Sequence, residues 1–213
     1  MKYYQDITLL PDAEANLGFL WQKVYQQLHL ALVEMKTDNN KSKIAVSFPK
    51  YFDKKSSNKK IENFPLGNKL RLFAETQEQL KQLDMPKWLN RLTDYSHCTS
   101  IKDVPPSVSQ FAYFKRKQFN TNFNRLSRRR SKRKRISLEQ ALEHYSDFKD
   151  QETNLPFIYM VSLSTNSDSN HPINEKFRFF IEREIIEQQS TGEFSCYGLS
   201  SREPSKQATV PWF

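Results

Sequence analysis

The chain has 213 residues, 13% of them aromatic, and a formal net charge of +9 at pH 7, so it is long enough for one large or two small domains with a real core. Four glycines leave no glycine-rich phosphate loop of the Walker or dinucleotide type, and no apolar run reaches membrane-spanning length. Two cysteines, Cys98 and Cys196, show no metal-ligand spacing and fit a reducing cytoplasm better than a disulfide framework. Acidic residues come too early in MKYYQDITLLPD for a signal peptide, so a soluble, cytoplasmic protein is expected.

Tyr3 to Leu10 reads as a first strand, ended by Pro11. Asp12 is expected to cap a long helix. In it Leu17, Leu20, Trp21, Val24, Leu28, Ala31, Leu32 and Met35 form a core-facing stripe, with His29 at its edge one turn after Tyr25. Thr37 to Lys41 ends that helix, Lys43 to Phe48 is a second strand, and Lys50 to Asn68 is a lysine-rich loop. Lys69 to Phe73 is a third strand, Thr76 to Leu83 a short helix, Trp88 and Leu89 part of another helical turn, and Tyr95 to Ile101 a fourth strand. The order β-α-β-β-α-β is the ferredoxin-like pattern, shared with RNA-recognition modules, although their aromatic RNA-binding signature is missing.

Val104, Pro105 and Pro106 suggest a boundary. Beyond it Gln110 to Phe119 is a strand or extended arm that mixes aromatics with Lys115, Arg116 and Lys117. A helix from Ser137 to about Phe148 is expected to start with a capping box, Gln140 standing three residues after Ser137. Strands follow at Leu155 to Ser164, Phe177 to Ile181 and Phe194 to Leu199, with a Ser/Asn-rich loop from Thr165 to Glu175. The aromatic pair Trp212 and Phe213 suggests a docked C-terminus. The expected class is α+β: a ferredoxin-like (RRM-like) domain over residues 1–104, then a C-terminal half, 105–213, with an arginine-rich helix and additional strands.

The arginine-rich stretch, RLSRRRSKRKR from Arg125 to Arg135, puts eight positive charges in eleven residues and leaves about +1 for the other 202. Such a patch needs an anionic partner, and clustered Lys and Arg bind nucleic-acid phosphates with release of counterions. A disordered tail or localisation signal is the bland alternative. The run is internal, however, and leads straight into the Ser137 helix start. Arg125, Arg128, Arg129, Lys132 and Arg133 recur at three- and four-residue steps, which places them on one helix face.

Several segments, taken together and in order, resemble one family: LHLALV around His29, IAVSFP, FKRKQF ahead of the basic helix, LPFIYMVSLS, KFRFFI, FSCYGLS and VPWF. They look like the CRISPR-associated endoribonuclease that matures repeat RNA in type I-F systems. The resemblance implies binding of the repeat stem-loop in precursor RNA and metal-independent cleavage at the 3′ base of the stem. The 2′-hydroxyl would attack the adjacent phosphate, leaving a 2′,3′-cyclic phosphate and a 5′-hydroxyl. It also implies no cofactor, retention of the guide RNA, and assembly with the other subunits of the surveillance complex.

Carried across residue by residue, His29 matches the family's catalytic histidine, whose pKa range suits proton transfer. On its own, a histidine beside a core stripe is more often a packed residue. Ser162 matches the serine that aligns the 2′-hydroxyl, and Tyr197 the tyrosine that orients the histidine. Arg116 and Gln118 match the pair that reads base edges, as Arg reads guanine and Gln reads adenine. Arg125, Arg128, Arg129, Lys132 and Arg133 fall at groove-facing basic positions, with Lys132 standing for an arginine and so losing bidentate phosphate contact. Ser164 and Thr165 lie in the substrate-contact segment, and Phe177 matches the aromatic that stacks on the last base pair. The loop between Thr165 and Lys176 is longer than the family's short turn, which affects the register of both Thr165 and Phe177. His97, His144 and His171 match no motif.

Overall fold

The computed structural model describes residues 1–36, 41–52, 64–119, 123–145, 153–162 and 176–213, the side chains of 123–125 excepted. These fall into two units, one formed by Met1–Arg116 with Leu155–Phe213, the other by Lys117–Asn154.

The larger unit opens with β1 (Tyr3–Leu9), α1 (Leu17–Glu34), β2 (Lys41–Ser42), β3 (Ala45–Ser47), β4 (Lys69–Ala74), α2 (Gln77–Leu83), α3 (Met85–Trp88), β5 (Ser96–Cys98) and β6 (Lys102–Asp103). Its first sheet runs β3-β4-β1-β5, with β6 also paired to β1, and every pairing is antiparallel. Two helical crossovers and one reversal put β1 between β4 and β5, which is the ferredoxin-like arrangement.

On α1, Leu20, Trp21, Val24, Tyr25, Leu28, Ala31 and Leu32 are buried. Each large apolar side chain among them contributes about 1.5–3 kcal/mol by leaving water. The Trp21 indole N–H donates to the Gly67 carbonyl at 2.7 Å, which ties the helix to the turn before β4. The helix begins later than Asp12 implies. Asp12 Oδ1 accepts from the Glu14 and Ala15 amides in a local turn, and Asn16 takes the cap by accepting from Phe19 N–H at 3.0 Å. Asn is as good a cap as Asp, so the residue that reaches the first free amide wins.

The second sheet runs β11-β7-β9-β8, from β7 (Phe111–Lys117), β8 (Phe157–Val161), β9 (Lys176–Ile186) and β11 (Val210–Pro211). A short pair joins β10 (Phe194–Ser195) to β2. Ala112, Phe114, Ile158, Met160, Phe179 and Ile181 share one core cluster with α1, β3 and β4. That shared core is why the chain does not divide at residue 104: the strand after Pro105-Pro106 returns its alternate residues to the first half's interior. β9 continues to Ile186, past the predicted Ile181, because its last residues lie on a partly exposed ribbon without the apolar alternation of a half-buried strand.

Beneath the first sheet, Arg71 makes a two-pronged ion pair with Asp6, at 2.6 and 3.0 Å, and donates to the Phe213 carbonyl at 2.9 Å. Its guanidinium lies 4.0 Å from the Phe213 ring centroid, so the C-terminal aromatic is docked.

The smaller unit holds α4 (Phe123–Lys134) and α5 (Leu138–Glu143). Arg135 adopts φ 53 and ends α4, and Ser137 with Gln140 forms the reciprocal capping box. α5 stops at Glu143 with His144 as its cap, and residues 146–148 of the predicted helix lie outside the described residues. Ser127 and Ala141 are buried, whereas Arg128, Arg129, Lys132 and Arg133 are exposed. Arg130 turns the other way, over the Tyr145 ring.

Candidate active site

The site grows from the last turns of α1. The half-buried His29 ring stacks on Tyr197 with centroids 4.0 Å apart and planes 6° from parallel. His29 Nδ1 is 3.0 Å from the Cys196 carbonyl oxygen. A carbonyl only accepts, so Nδ1 carries the proton and Nε2 of the neutral ring keeps its lone pair. Burial pushes the His29 pKa below the ordinary 6.5, the Arg116 charge pushes the same way, and the Cys196 bond opposes them without reversing the sign. The ring is therefore neutral at pH 7, with Nε2 able to take a proton.

Tyr197 is not on a strand, as the run from Phe194 to Leu199 suggests. β10 ends at Ser195, and Cys196 and Tyr197 turn, with Gly198 N–H donating to the Ser195 carbonyl at 2.8 Å. Gly198 has φ 71, and a Cβ there would collide with Val46 Cγ2. The Val46 amide on β3 donates to the Gly198 carbonyl at 2.8 Å, and Tyr25 Oη donates to the Tyr197 carbonyl at 2.9 Å. Tyr25 and His29 stand one helical turn apart and hold the same tyrosine, one by its backbone and the other by its ring.

Arg116, on β7, spreads its guanidinium among three rings, 5.0 Å from Phe179, 5.3 Å from Phe177 and 5.5 Å from Tyr197. Burial raises the Tyr197 phenol above its ordinary pKa, and the Arg116 charge and hydrogen bond only partly offset that. An open groove of about 460 Å³ runs beside this pair, with Lys41, Ser200 and Arg202 also on its walls. A larger groove of about 1060 Å³ lies on the opposite side of α1, lined by Lys23, Gln27, Lys81 and Trp88, and carries none of the predicted site residues.

His29, Tyr197, Arg116 and Phe177 thus come together. Ser162 is half-buried and follows Val161, the residue that pairs with Lys176 next to Phe177. Gln118, Arg128, Arg129, Lys132 and Arg133 belong to the smaller unit. Arg125 is in α4, but its side chain lies outside the described residues, as do Ser164, Thr165 and His171. His97 is exposed on β5. Among the described residues no three His, Cys, Asp or Glu side chains come together as metal ligands would. Sequence reasoning missed Tyr25 and the Cys196 carbonyl. The four-residue step from Tyr25 to His29 is a usable signal for the first, and a backbone acceptor leaves none.

An imidazole with an unprotonated Nε2, clamped by a tyrosine and flanked by an arginine in an aromatic cage, is a site of the acid–base kind on an α+β scaffold. The chain belongs to the family described as CRISPR-associated protein (Cas_Csy4), which matches residues 4–213. It is 32% identical, over all of both chains, to a protein of Escherichia coli named CRISPR-associated endonuclease Cas6/Csy4. A protein of the same name from Pseudomonas aeruginosa is also 32% identical over its full length. Among solved structures, a chain titled CRISPR associated protein Cas6 covers 100% of this chain and 99% of its own, at 10% identity and a TM-score of 0.33, too loose a likeness to carry an argument.

Proposed function

We propose that this protein is a metal-independent endoribonuclease that binds the stem-loop of a CRISPR repeat in precursor RNA and cuts at the 3′ base of the stem. The observation that carries the reading is the His29 tautomer: Nδ1–H on the Cys196 carbonyl leaves Nε2 as a base in a neutral ring. Nε2 takes the proton from the 2′-hydroxyl of the nucleotide before the cut. That oxygen bonds to the adjacent phosphorus, and the P–O5′ bond breaks, the leaving O5′ taking a proton from solvent water. The products are a 2′,3′-cyclic phosphate and a 5′-hydroxyl.

Tyr197 holds the imidazole plane by stacking, and Ser162 aligns the attacking hydroxyl. Phe177 caps the stem by stacking on its terminal pair, an interaction of about 1–3 kcal/mol in single-strand binders. Arg116 and Gln118 read base edges, while Ser164 and Thr165 contact the RNA near the cut. Arg125, Arg128, Arg129, Lys132 and Arg133 neutralise phosphates, and four of the five have exposed side chains in keeping with that role. An A-form major groove is deep and narrow, so a helix enters it only where it opens, at a loop or stem end, and a short hairpin offers both. The protein then keeps its guide RNA and joins the other subunits of the type I-F surveillance complex.

The test is incubation with the cognate repeat hairpin in EDTA. Cutting should persist there, fall at least 10²–10⁴-fold in His29→Ala as expected for loss of a general base, and stop when the nucleotide before the cut is 2′-deoxy. Binding without cutting in the wild type would make the protein a structural RNA-holding subunit instead.

A further inference from the structure

Gln26 stands on α1 one turn before His29. Its Oε1 accepts the Val161 backbone N–H at 3.1 Å, across 135 residues of sequence. Among the described residues β8 is the outer strand of its sheet, so this bond closes that edge of the strand at its last residue, and Ser162 is the next residue along. The donor is a backbone amide, so the side chain's orientation is determined: oxygen toward Val161, nitrogen away. That nitrogen, Nε2, is buried and has no hydrogen-bond partner among the described residues. For packing alone, a methionine of similar length would fill the position without an unpaired buried donor. The bond to Val161 is what a glutamine adds there.

We infer that Gln26 is a positioning residue for the proposed cleavage: it locks the end of β8, and with it Ser162, against the turn of α1 that carries His29. The inference rests on the roles proposed above for Ser162 and His29. His29 arrives on a helix and Ser162 at the end of an edge strand, and Gln26 links the two supports by one bond. A misplacement of about 1 Å can cost about 10²-fold in rate, so slack at this link should appear in the chemical step and not in RNA affinity. The alternative is that the bond only closes a sheet edge.

The experiment is a double-mutant cycle on single-turnover cleavage of the cognate hairpin, using the full chain as wild type, Gln26→Met, Ser162→Ala and the double variant, with hairpin Kd measured for each. Gln26→Met should slow cleavage about 10–100-fold with Kd within about twofold, and should add almost nothing in the Ser162→Ala background, because both act through one group. If Gln26→Met does not fold, Gln26→Asn keeps the amide but shortens its reach by one methylene and should behave the same way. A wild-type rate in a Gln26 variant, a parallel loss of affinity, or equal slowing in both backgrounds would overturn the inference and leave the endoribonuclease reading standing. Failure of the wild type to cut any repeat RNA would remove both.

Discussion

Gly198→Ala perturbs the turn that lays Tyr197 on His29. At φ 71 an alanine pays about 1–2 kcal/mol for left-handed backbone. Its methyl would also be driven into Val46 Cγ2, and overpacking of a filled interior adds about 1–3 kcal/mol. Together the substitution should cost about 2–5 kcal/mol of stability. Val46→Ala removes the worst-placed methyl and leaves Val46 Cβ as a milder contact, so the double variant should recover most of the steric part, seen as a favourable coupling of about 1–3 kcal/mol, and not the backbone part. Urea unfolding of the four proteins measures both terms. In whatever fraction stays folded, displaced Tyr197 should slow cleavage while hairpin affinity is kept. A Gly198→Ala protein within about 0.5 kcal/mol of wild type, or one with no coupling to Val46→Ala, would refute the reasoning.

Other perturbations test other parts. Arg116 helps hold the His29 pKa below 6.5, so Arg116→Gln should move the acid limb of the pH–rate profile to higher pH, and an unmoved limb would remove Arg116 from the electrostatics of the base. Arg128→Gln with Arg129→Gln should weaken hairpin binding and reduce the slope of log K against log salt by about 2, and an unchanged slope would take α4 off the phosphates. Arg71→Met takes the two-pronged partner from buried Asp6 and leaves it only Lys69 at 3.3 Å, so it should cost at most about 3–5 kcal/mol at pH 7. Burial alone would raise the Asp6 pKa, but Arg71 and Lys69 outweigh it and hold the carboxyl below its ordinary 3.8. The wild type's advantage is therefore fully present above that value and should shrink as pH falls through the folded pKa. A gap that stays constant down to pH 2 would contradict it.

The ferredoxin-like half was legible because its signals are local: the α1 stripe, the period-two strands and the short helix after Thr76 each concern neighbouring residues. The Ser137–Gln140 capping box was legible for the same reason. What escaped depends on distant partners. Phe194 to Leu199 has strand composition, but Gly198 takes φ 71, its carbonyl accepts the Val46 amide of β3, and the segment turns. Pro105-Pro106 looks like a boundary, yet Ala112 and Phe114 pack into the same interior as Leu28. At the site, His29, Tyr197, Arg116 and Phe177 were singled out by resemblance alone, and periodicity would have left each as an ordinary core or surface residue. Cys196 drew notice for its thiol, whereas the structure uses its carbonyl. No residue type announces that role.

The central claim is that His29 Nε2 faces the attacking ribose oxygen. The most direct measurement is a crystal structure with a repeat RNA that keeps the O2′ hydroxyl before the cut but carries an uncleavable linkage at the scissile position. His29 Nε2 should lie within hydrogen-bond reach of that oxygen, about 2.6–3.2 Å, with Nδ1 still on the Cys196 carbonyl. An Nε2 beyond even one bridging water from O2′ would contradict the account.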